Sequence, residues 1–365
     1  MINISINKFM IAVVLLWTAG CGGQPPPVAL REIEILVTTD LHGHLEHSAV
    51  DDNSGGWLRL ATLIRRERAT FGAGRTLLID CGDTTQGTFA AAESKGEIDI
   101  LALKALAYDV WIIGNHEFDY GLPRLREFID ATPKICLAGN LEIAKTANRG
   151  TEAAPTLPGR PAAAPSYRHT DSFSRLPAWK MFERGGVHIA VIGVTASYLD
   201  QWFRSGDTPG YRVEKALATI TRVLPEIHRA KPDVIVLAAH QGWLPNDPRN
   251  VNELAEIAKR FPEIDLVLGG HTHQPFPGQK IGFKTWYVQA DCQGSAVGVV
   301  KLSVNTAEHE VVDAQSELRT AGADVPYDKA LADATQSVRR RADTLARKRI
   351  TTLPRDVAGE SIPGK

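Results

Sequence analysis

Cysteine is scarce in this chain, with four in 365 residues, so a disulfide scaffold is not what holds the fold together. Excess charge is missing too. Lysine plus arginine number 41 against 42 acidic residues, a formal net charge of −1, and no basic face offers itself to nucleic acid. The apolar run Phe9–Trp17 falls well short of the roughly 20 residues that a membrane-spanning helix needs. The glycine-rich piece Gly82–Gly87 lacks the Gly-Lys-Ser/Thr ending of a phosphate-binding loop, and its glycines read as turn residues. The chemistry that remains is carried by Asp, Asn and His.

Five short clusters hold it, each directly behind an apolar stretch that reads as a buried strand. Asp40-Leu41-His42 follows Ile33–Val37, and Gly82-Asp83 follows Thr76–Asp80. Gly114-Asn115-His116-Glu117-Phe118-Asp119 follows Val110–Ile113. His240 follows Val234–Ala239, and Gly270-His271-Thr272-His273 follows Ile264–Leu268. In a parallel sheet the C-terminal strand ends share one edge, where open α/β folds place their ligands. Side chains far apart in the chain can therefore converge.

Asp40, His42, Asp83, Asn115, His240, His271 and His273 offer seven carboxylate, amide and imidazole donors. Donors of this kind suit Mn²⁺, Zn²⁺, Fe²⁺ or Co²⁺. Seven are too many for one tetrahedral ion. They fit two ions about 3.5–4 Å apart that share a carboxylate, and Asp83, behind a strand and a glycine, is the natural bridge. His116 can carry a proton at neutral pH, and Asp119, three residues on, is placed to orient it. A lone histidine behind a strand is more often hydrogen-bonded or solvated than a ligand. His240 is read as a ligand because four other clusters accompany it. Cys81 reads as a packed thiol beside the site, not as a ligand.

The ordered set Asp-x-His, Gly-Asp, Gly-Asn-His-Glu, His and Gly-His-x-His resembles the calcineurin-like metallophosphoesterases. In finer detail, Thr39–His44, Gly82–Gly87, Gly114–Gly121 and Gly270–His273 are similar to the catalytic domain of the bacterial 5′-nucleotidase/2′,3′-cyclic phosphodiesterase group. The likeness runs from about Ile33 to about Val304. It implies an α/β fold, a four-layer αββα sandwich of two mixed sheets flanked by helices. It implies one divalent ion on Asp40, His42, Asp83 and His273 and a second on Asp83, Asn115, His240 and His271, with His116 as general acid and Asp119 holding it. The implied activity is hydrolysis of a small-molecule phosphoester, as a 5′-nucleotidase-like phosphomonoesterase or as a phosphodiesterase on cyclic nucleotides. A non-catalytic, metal-binding surface lipoprotein is the alternative from another class.

Residues 1–20 read as an export signal. Lys8 precedes the apolar run, and Thr18-Ala19-Gly20-Cys21 resembles the lipobox of bacterial lipoproteins, with Thr18 where that box usually carries Leu. Cleavage before Cys21 and a lipid on its thiol would tether the chain to the membrane, through residues 21–31, on the periplasmic side of the envelope. An ordinary signal peptide is the plainer alternative. If Cys21 is lipidated, Cys81, Cys136 and Cys292 allow at most one internal disulfide.

Residues 32–305 form the expected catalytic domain, interrupted at 146–178 by a Pro/Ala-rich surface loop. Helices are expected over 56–66, 98–107, 122–131, 213–230, 252–260 and 327–349, and strands over 134–138 and 187–194. Lys284–Gln289 and Ala296–Val304 read as antiparallel strands of a second sheet. Trp202-Phe203 and Trp243 fall in loops on the active edge. Residues 306–365 read as a helical and linker segment. In the resembled group such a helix leads to a second domain that grips the nucleotide base. The sequence ends at Lys365, so base recognition is expected to be lost or to come from another chain.

Overall fold

Burial on both faces explains the near-continuous apolar runs of the central strands. In the strand Leu30–Thr38, residues Ile33, Ile35 and Val37 enter one cluster while Leu36 enters another. Thr76–Asp80 divides the same way, Leu77 and Ile79 against Leu78, and Val110–Ile112 sends Trp111 opposite to its two neighbours. The cluster built on Ile33, Leu77 and Ile112 is completed by Ile189, Val191, Val234, Val236, Leu266 and Leu268. Those six belong to a second sheet, and their in-between neighbours Ala190, Ile192, Ile235, Leu237 and Val267 face a third cluster. The period-2 alternation thus yields three apolar layers from two sheets.

The computed structural model describes residues 30–46, 55–144, 173–199, 210–247 and 251–348. The expected export signal, tether and Cys21 lie outside the described residues, as do Trp202-Phe203 and nearly all of the 146–178 loop. The first sheet runs, in spatial order, Glu310–Thr320, Ala296–Asn305, Leu30–Thr38, Thr76–Asp80, Val110–Ile112 and Cys136–Leu137. Its last four strands are parallel and the first two antiparallel. The second sheet runs Phe276–Ile281, Thr285–Gln289, Leu266–Gly269, Val234–Ala239, Val187–Val194 and Trp179–Arg184, with four parallel strands between two antiparallel ones. Helices Trp57–Glu67, Glu97–Ala105, Leu122–Ala131 and Lys329–Ala346 contribute to the outer cluster of the first sheet, and Ala216–Ala230 and Leu254–Arg260 to that of the second. The αββα layering expected from the sequence is borne out.

Three short sequences, Asp109-Val110, Asp233-Val234 and Asp265-Leu266, mark how parallel strands begin. Each aspartate stands just before a strand and accepts a backbone N–H from the neighbouring one: Leu78 at 2.9 Å, His188 at 2.7 Å and Ile235 at 2.9 Å. This leaves the opposite, C-terminal edge free for the loops that carry the five clusters.

Some expectations need correction. Lys284–Gln289 and Ala296–Val304 do not share a sheet. Thr285–Gln289 lies parallel to Leu266–Gly269 in the second sheet, whereas Ala296–Asn305 lies antiparallel to Leu30–Thr38 in the first. Two adjacent apolar runs read as antiparallel strands of one sheet, but the chain crosses between layers instead. The segment after Val304 opens with an edge strand, Glu310–Thr320, whose outward polar residues hide its period; its helix follows at Lys329–Ala346. Val213 ends a short strand of a third sheet, Phe173–Arg175, Leu141–Ala144 and Tyr211–Val213. The helix begins later, at Ala216, because the Glu253 carboxylate accepts the N–H groups of Ala216 at 2.9 Å and Leu217 at 3.4 Å.

Ile112 is fully buried between the sheets. Ile112→Ala should therefore cost about 2–5 kcal/mol of unfolding free energy, read as a lowered urea midpoint at unchanged slope. A cost well under about 1 kcal/mol would mean that this layer is not close-packed.

Candidate metal centre

The loops that leave the C-terminal edge are held to one another before any side chain is considered. Asp40 N–H donates to the Gly82 carbonyl at 2.8 Å, His42 N–H to Asp83 at 2.9 Å and Gly43 N–H to Thr84 at 2.9 Å, so the first loop is zipped along the second. Gly82 and Gly114 are glycines for a reason of space. A Cβ on Gly82 would fall 2.7 Å from Gly114 N, and one on Gly114 would fall 2.3 Å from Asp83 Oδ1. The backbones touch because neither residue carries a side chain.

Asp40, His42, Asp83, His271 and His273 all have positive φ, between 48° and 72°. Non-glycine residues adopt this conformation rarely and at a cost, typically at functional sites. Five of the seven expected ligands share it.

The structure brings Asp40, His42 and His273 into one group and Asp83, His240 and His271 into another, ligand atoms within each lying no more than 4.8 Å apart. In the first group His42 Nε2 lies 2.9 Å from His273 Nε2, and His273 Nε2 lies 3.5 Å from Asp40 Oδ1. In the second, His240 Nε2 is 3.1 Å from Asp83 Oδ2 and 3.1 Å from Asn115 Oδ1. Asn115 therefore belongs with Asp83 and His240. His240 and His271 meet edge to face at 5.1 Å, as do His42 and His273 at 4.9 Å.

The donor chemistry fits a cation. His240 Nδ1 donates to the Cys81 carbonyl at 2.8 Å, so in the neutral ring Nε2 presents a lone pair. That lone pair faces a carboxylate oxygen and an amide oxygen, three electron-rich atoms pointing inward. Either a proton or a metal ion must answer them. Without a metal the proton does: burial acts to lower His240, but Asp83 carries it up to about 10. Burial likewise acts to raise Asp83, yet His240 holds its carboxyl below the ordinary carboxylate range. His271, beside this charge, is pushed down to about 4 by burial and by His240. Burial also lowers His42, against the pull of Asp83 and Asp40.

His116 is of another kind. Its backbone N–H donates to Asp83 Oδ1 at 2.8 Å, while its ring stands in contact with His42, centroids 5.2 Å apart. Nδ1 pairs with Asp119 Oδ2 at 2.8 Å, and that hydrogen bond raises the imidazole above its usual pKa. With Nδ1 engaged by Asp119, Nε2 is the ring nitrogen through which a proton would be exchanged. The pair is part-exposed, 27% and 40% for the two side chains, whereas Asp40, Asp83 and His240 are buried.

Two residues that matter here were not singled out from sequence. Glu117 accepts backbone N–H bonds from Gly114 at 2.6 Å, Asp83 at 3.0 Å, Thr84 at 2.7 Å and Thr85 at 3.1 Å. One buried carboxylate thus ties the Asp83 loop to the Asn115 loop, and burial raises its pKa. Asp80 accepts from Thr38 and Thr84, each at 2.6 Å, and from Gly82 N–H at 3.1 Å. Trp111 is buried and its indole N–H donates to Thr84 at 3.1 Å. Glu117 lay inside the third cluster, but its partners are backbone N–H groups, which leave no mark in sequence. Cys81, Cys136 and Cys292 are free thiols, and Cys81 is packed, its Sγ 3.7 Å from the Leu268 carbonyl.

A family model described as calcineurin-like phosphoesterase matches residues 33–275. Protein UshA of Yersinia enterocolitica is 27% identical over 343 residues, covering 86% of this chain and 56% of that relative. The 2′,3′-cyclic-nucleotide 2′-phosphodiesterase/3′-nucleotidase of Haemophilus influenzae is 27% identical over 267 residues, covering 68% of this chain and 37% of that relative. Among solved structures, the calcineurin-like phosphoesterase YfkN from Bacillus subtilis matches with a TM-score of 0.70 at 21% identity, over 87% of this chain and 100% of that one. The chain spans about half the length of the curated relatives it matches. These matches bear out the resemblance carried by the five clusters.

In the metal-free chain the Asp83–His240 pair holds a proton. Because His240 is raised and Asp83 lowered, the pair stabilises the fold through neutral pH. That contribution is lost as pH rises through about 10, and again as pH falls through the depressed Asp83 value. Mn²⁺ binding at pH 8 should displace this proton. Calorimetry in buffers of differing ionisation enthalpy should show about one proton released, and His240→Asn should abolish most of that release. No release from the unmodified chain would mean that His240 is already neutral.

Proposed function

The chain belongs to the calcineurin-like phosphoesterase family, and on that footing we propose that it is a two-metal hydrolase of phosphoesters, acting as a 5′-nucleotidase-like phosphomonoesterase on exported or extracellular nucleotides. The observation that carries this reading is the His116–Asp119 pair standing against two separate ligand groups. A protein that merely retained metal would need neither His116 nor Asp119, which argues against a non-catalytic surface lipoprotein.

Asp40, His42, Asp83 and His273 would hold one divalent ion, and Asp83, Asn115, His240 and His271 the other, with Asp83 common to both. Two such ions, of Mn²⁺, Zn²⁺, Fe²⁺ or Co²⁺ type, supply when bound a water activated at neutral pH and positive charge opposite the phosphoryl oxygens. The chain's own residues do the rest. Asn115 lends a neutral oxygen and adds no charge. Asp119 fixes the His116 ring through Nδ1 and favours its protonated form. His116 Nε2 then gives its proton to the leaving alkoxide.

A second reading, hydrolysis of cyclic phosphodiesters, is favoured by the likeness to the Haemophilus influenzae protein named for that activity. Ratios of turnover on 5′-AMP and on 2′,3′-cyclic AMP separate the two. We also propose that the protein is exported and tethered by a lipid on Cys21, on the strength of Thr18–Cys21. Among the described residues no helix is long and apolar enough to cross a membrane.

Hydrolysis of 5′-AMP by the purified chain should require added Mn²⁺ and stop with chelator. His116→Ala should slow 5′-AMP, whose alkoxide leaves poorly, by about 10²–10⁴-fold. p-Nitrophenyl phosphate needs little help from an acid and should lose far less. Equal losses on the two substrates would remove His116 from the general-acid role.

A further inference from the structure

Thr272 stands between the two histidines of the last cluster, and its side chain is engaged elsewhere. The Thr272 hydroxyl lies 3.2 Å from Gln289 Oε1 and 3.1 Å from Gln289 Nε2, so one amide meets one hydroxyl. Gln289 is fully buried and ends the strand Thr285–Gln289, next to the strand that feeds the histidine loop. Two residues back, on the same face, the buried Tyr287 donates its hydroxyl to Gln289 Oε1 at 2.7 Å. The Tyr287 oxygen in turn accepts the N–H of Trp243 at 3.2 Å.

Space has been made for this row of hydrogen bonds. A Cβ on Gly269 would fall 2.3 Å from the Tyr287 oxygen, and one on Gly242 would fall 2.1 Å from Thr272 Cγ2. The strand end at Gly269 and the loop at Gly242 are both glycine where the row passes.

The loop it supports is strained. His271 has φ 72° and His273 φ 52°, and residues in that region persist only where their surroundings hold them. His271 serves the group with Asp83 and His240, and His273 serves the group with Asp40 and His42. A single hydroxyl between them is therefore the pivot for both groups. We propose that Gln289 is a positioning residue which, braced by Tyr287 and acting through Thr272, sets His271 and His273 in register with their two groups. This rests on the reading that both groups hold divalent ions.

The loss of a ligand and the loss of the brace differ in pattern. His273→Ala should weaken one metal site more than the other. Gln289→Leu and Thr272→Val should weaken both together, by about 10–100-fold, as changes behind metal ligands do. Thr272→Ser keeps the hydroxyl and should stay near the unmodified chain. The experiment is Mn²⁺ titration of the metal-free full chain by calorimetry, with thermal midpoints measured alongside. A purely structural role would lower the midpoint and leave the affinities of the folded protein alone. Two bound ions in the unmodified chain, with affinities unchanged in both Gln289→Leu and Thr272→Val, would overturn the brace and leave the two-metal reading standing. No Mn²⁺ bound by the unmodified chain would overturn both. If Gln289→Leu does not fold, the contrast of Thr272→Val with Thr272→Ser decides.

Discussion

Asp40, Asp80, Asp83 and Glu117 are all buried along one sheet edge, and their negative charge has to be answered there. A carboxylate taken out of water costs several kcal/mol unless donors or cations meet it. Glu117 is met by four backbone N–H groups, and Asp80 by two threonine hydroxyls and one N–H. Asp40 is met by the Thr39 hydroxyl at 2.7 Å and by the N–H of His271, which lies 2.9 and 3.1 Å from its two oxygens. Most of these donors belong to the loops themselves, so ordering the loops and satisfying the acids are one event. Two of these donors, Asp83 and His271, have positive φ. Asp83 receives the His116 N–H and otherwise looks toward imidazole nitrogen. It is the acid left most dependent on a cation.

Much of this was legible in the sequence, for definite reasons. The parallel strands are buried on both faces, so Ile33–Val37, Thr76–Asp80 and Val234–Ala239 read as unbroken apolar runs. Polar residues behind such runs then mark the ligand edge without any knowledge of sheet order. Nothing local, however, says which layer a run joins. Thr285–Gln289 and Ala296–Asn305 look alike along the chain and enter different sheets, because the partner of each is set by contacts more than a hundred residues away for one and close by for the other. Glu310–Thr320 was hidden by its edge position, where one face is wet and the residues alternate without apolar mass.

Within the site, the legible residues are Asp, Asn and His, donors that recur directly behind five apolar strands. The residues that position them were not legible. Glu117 bonds to backbone, and backbone donors leave no mark in sequence. Gln289 acts across two strands, at a place where a buried glutamine reads as an ordinary strand end. Glycine is informative in hindsight for the same reason. Gly82, Gly114, Gly242 and Gly269 report what their neighbours need, the close passage of a loop or of a tyrosine.

Each ligand group draws on both sheets. Asp40 and His42 leave the first sheet and His273 the second; Asp83 leaves the first sheet and His240 and His271 the second. His42 and His273 are 231 positions apart. In terms of chain topology, an ion gripped there would be a removable cross-link closing a loop of most of the domain. A ribosome must extrude the chain as far as His271, into the second sheet, before either group is whole. A chain stalled after the strand Cys136–Leu137 carries Asp40, His42, Asp83 and Asn115 but lacks His240, His271 and His273, so neither group is complete.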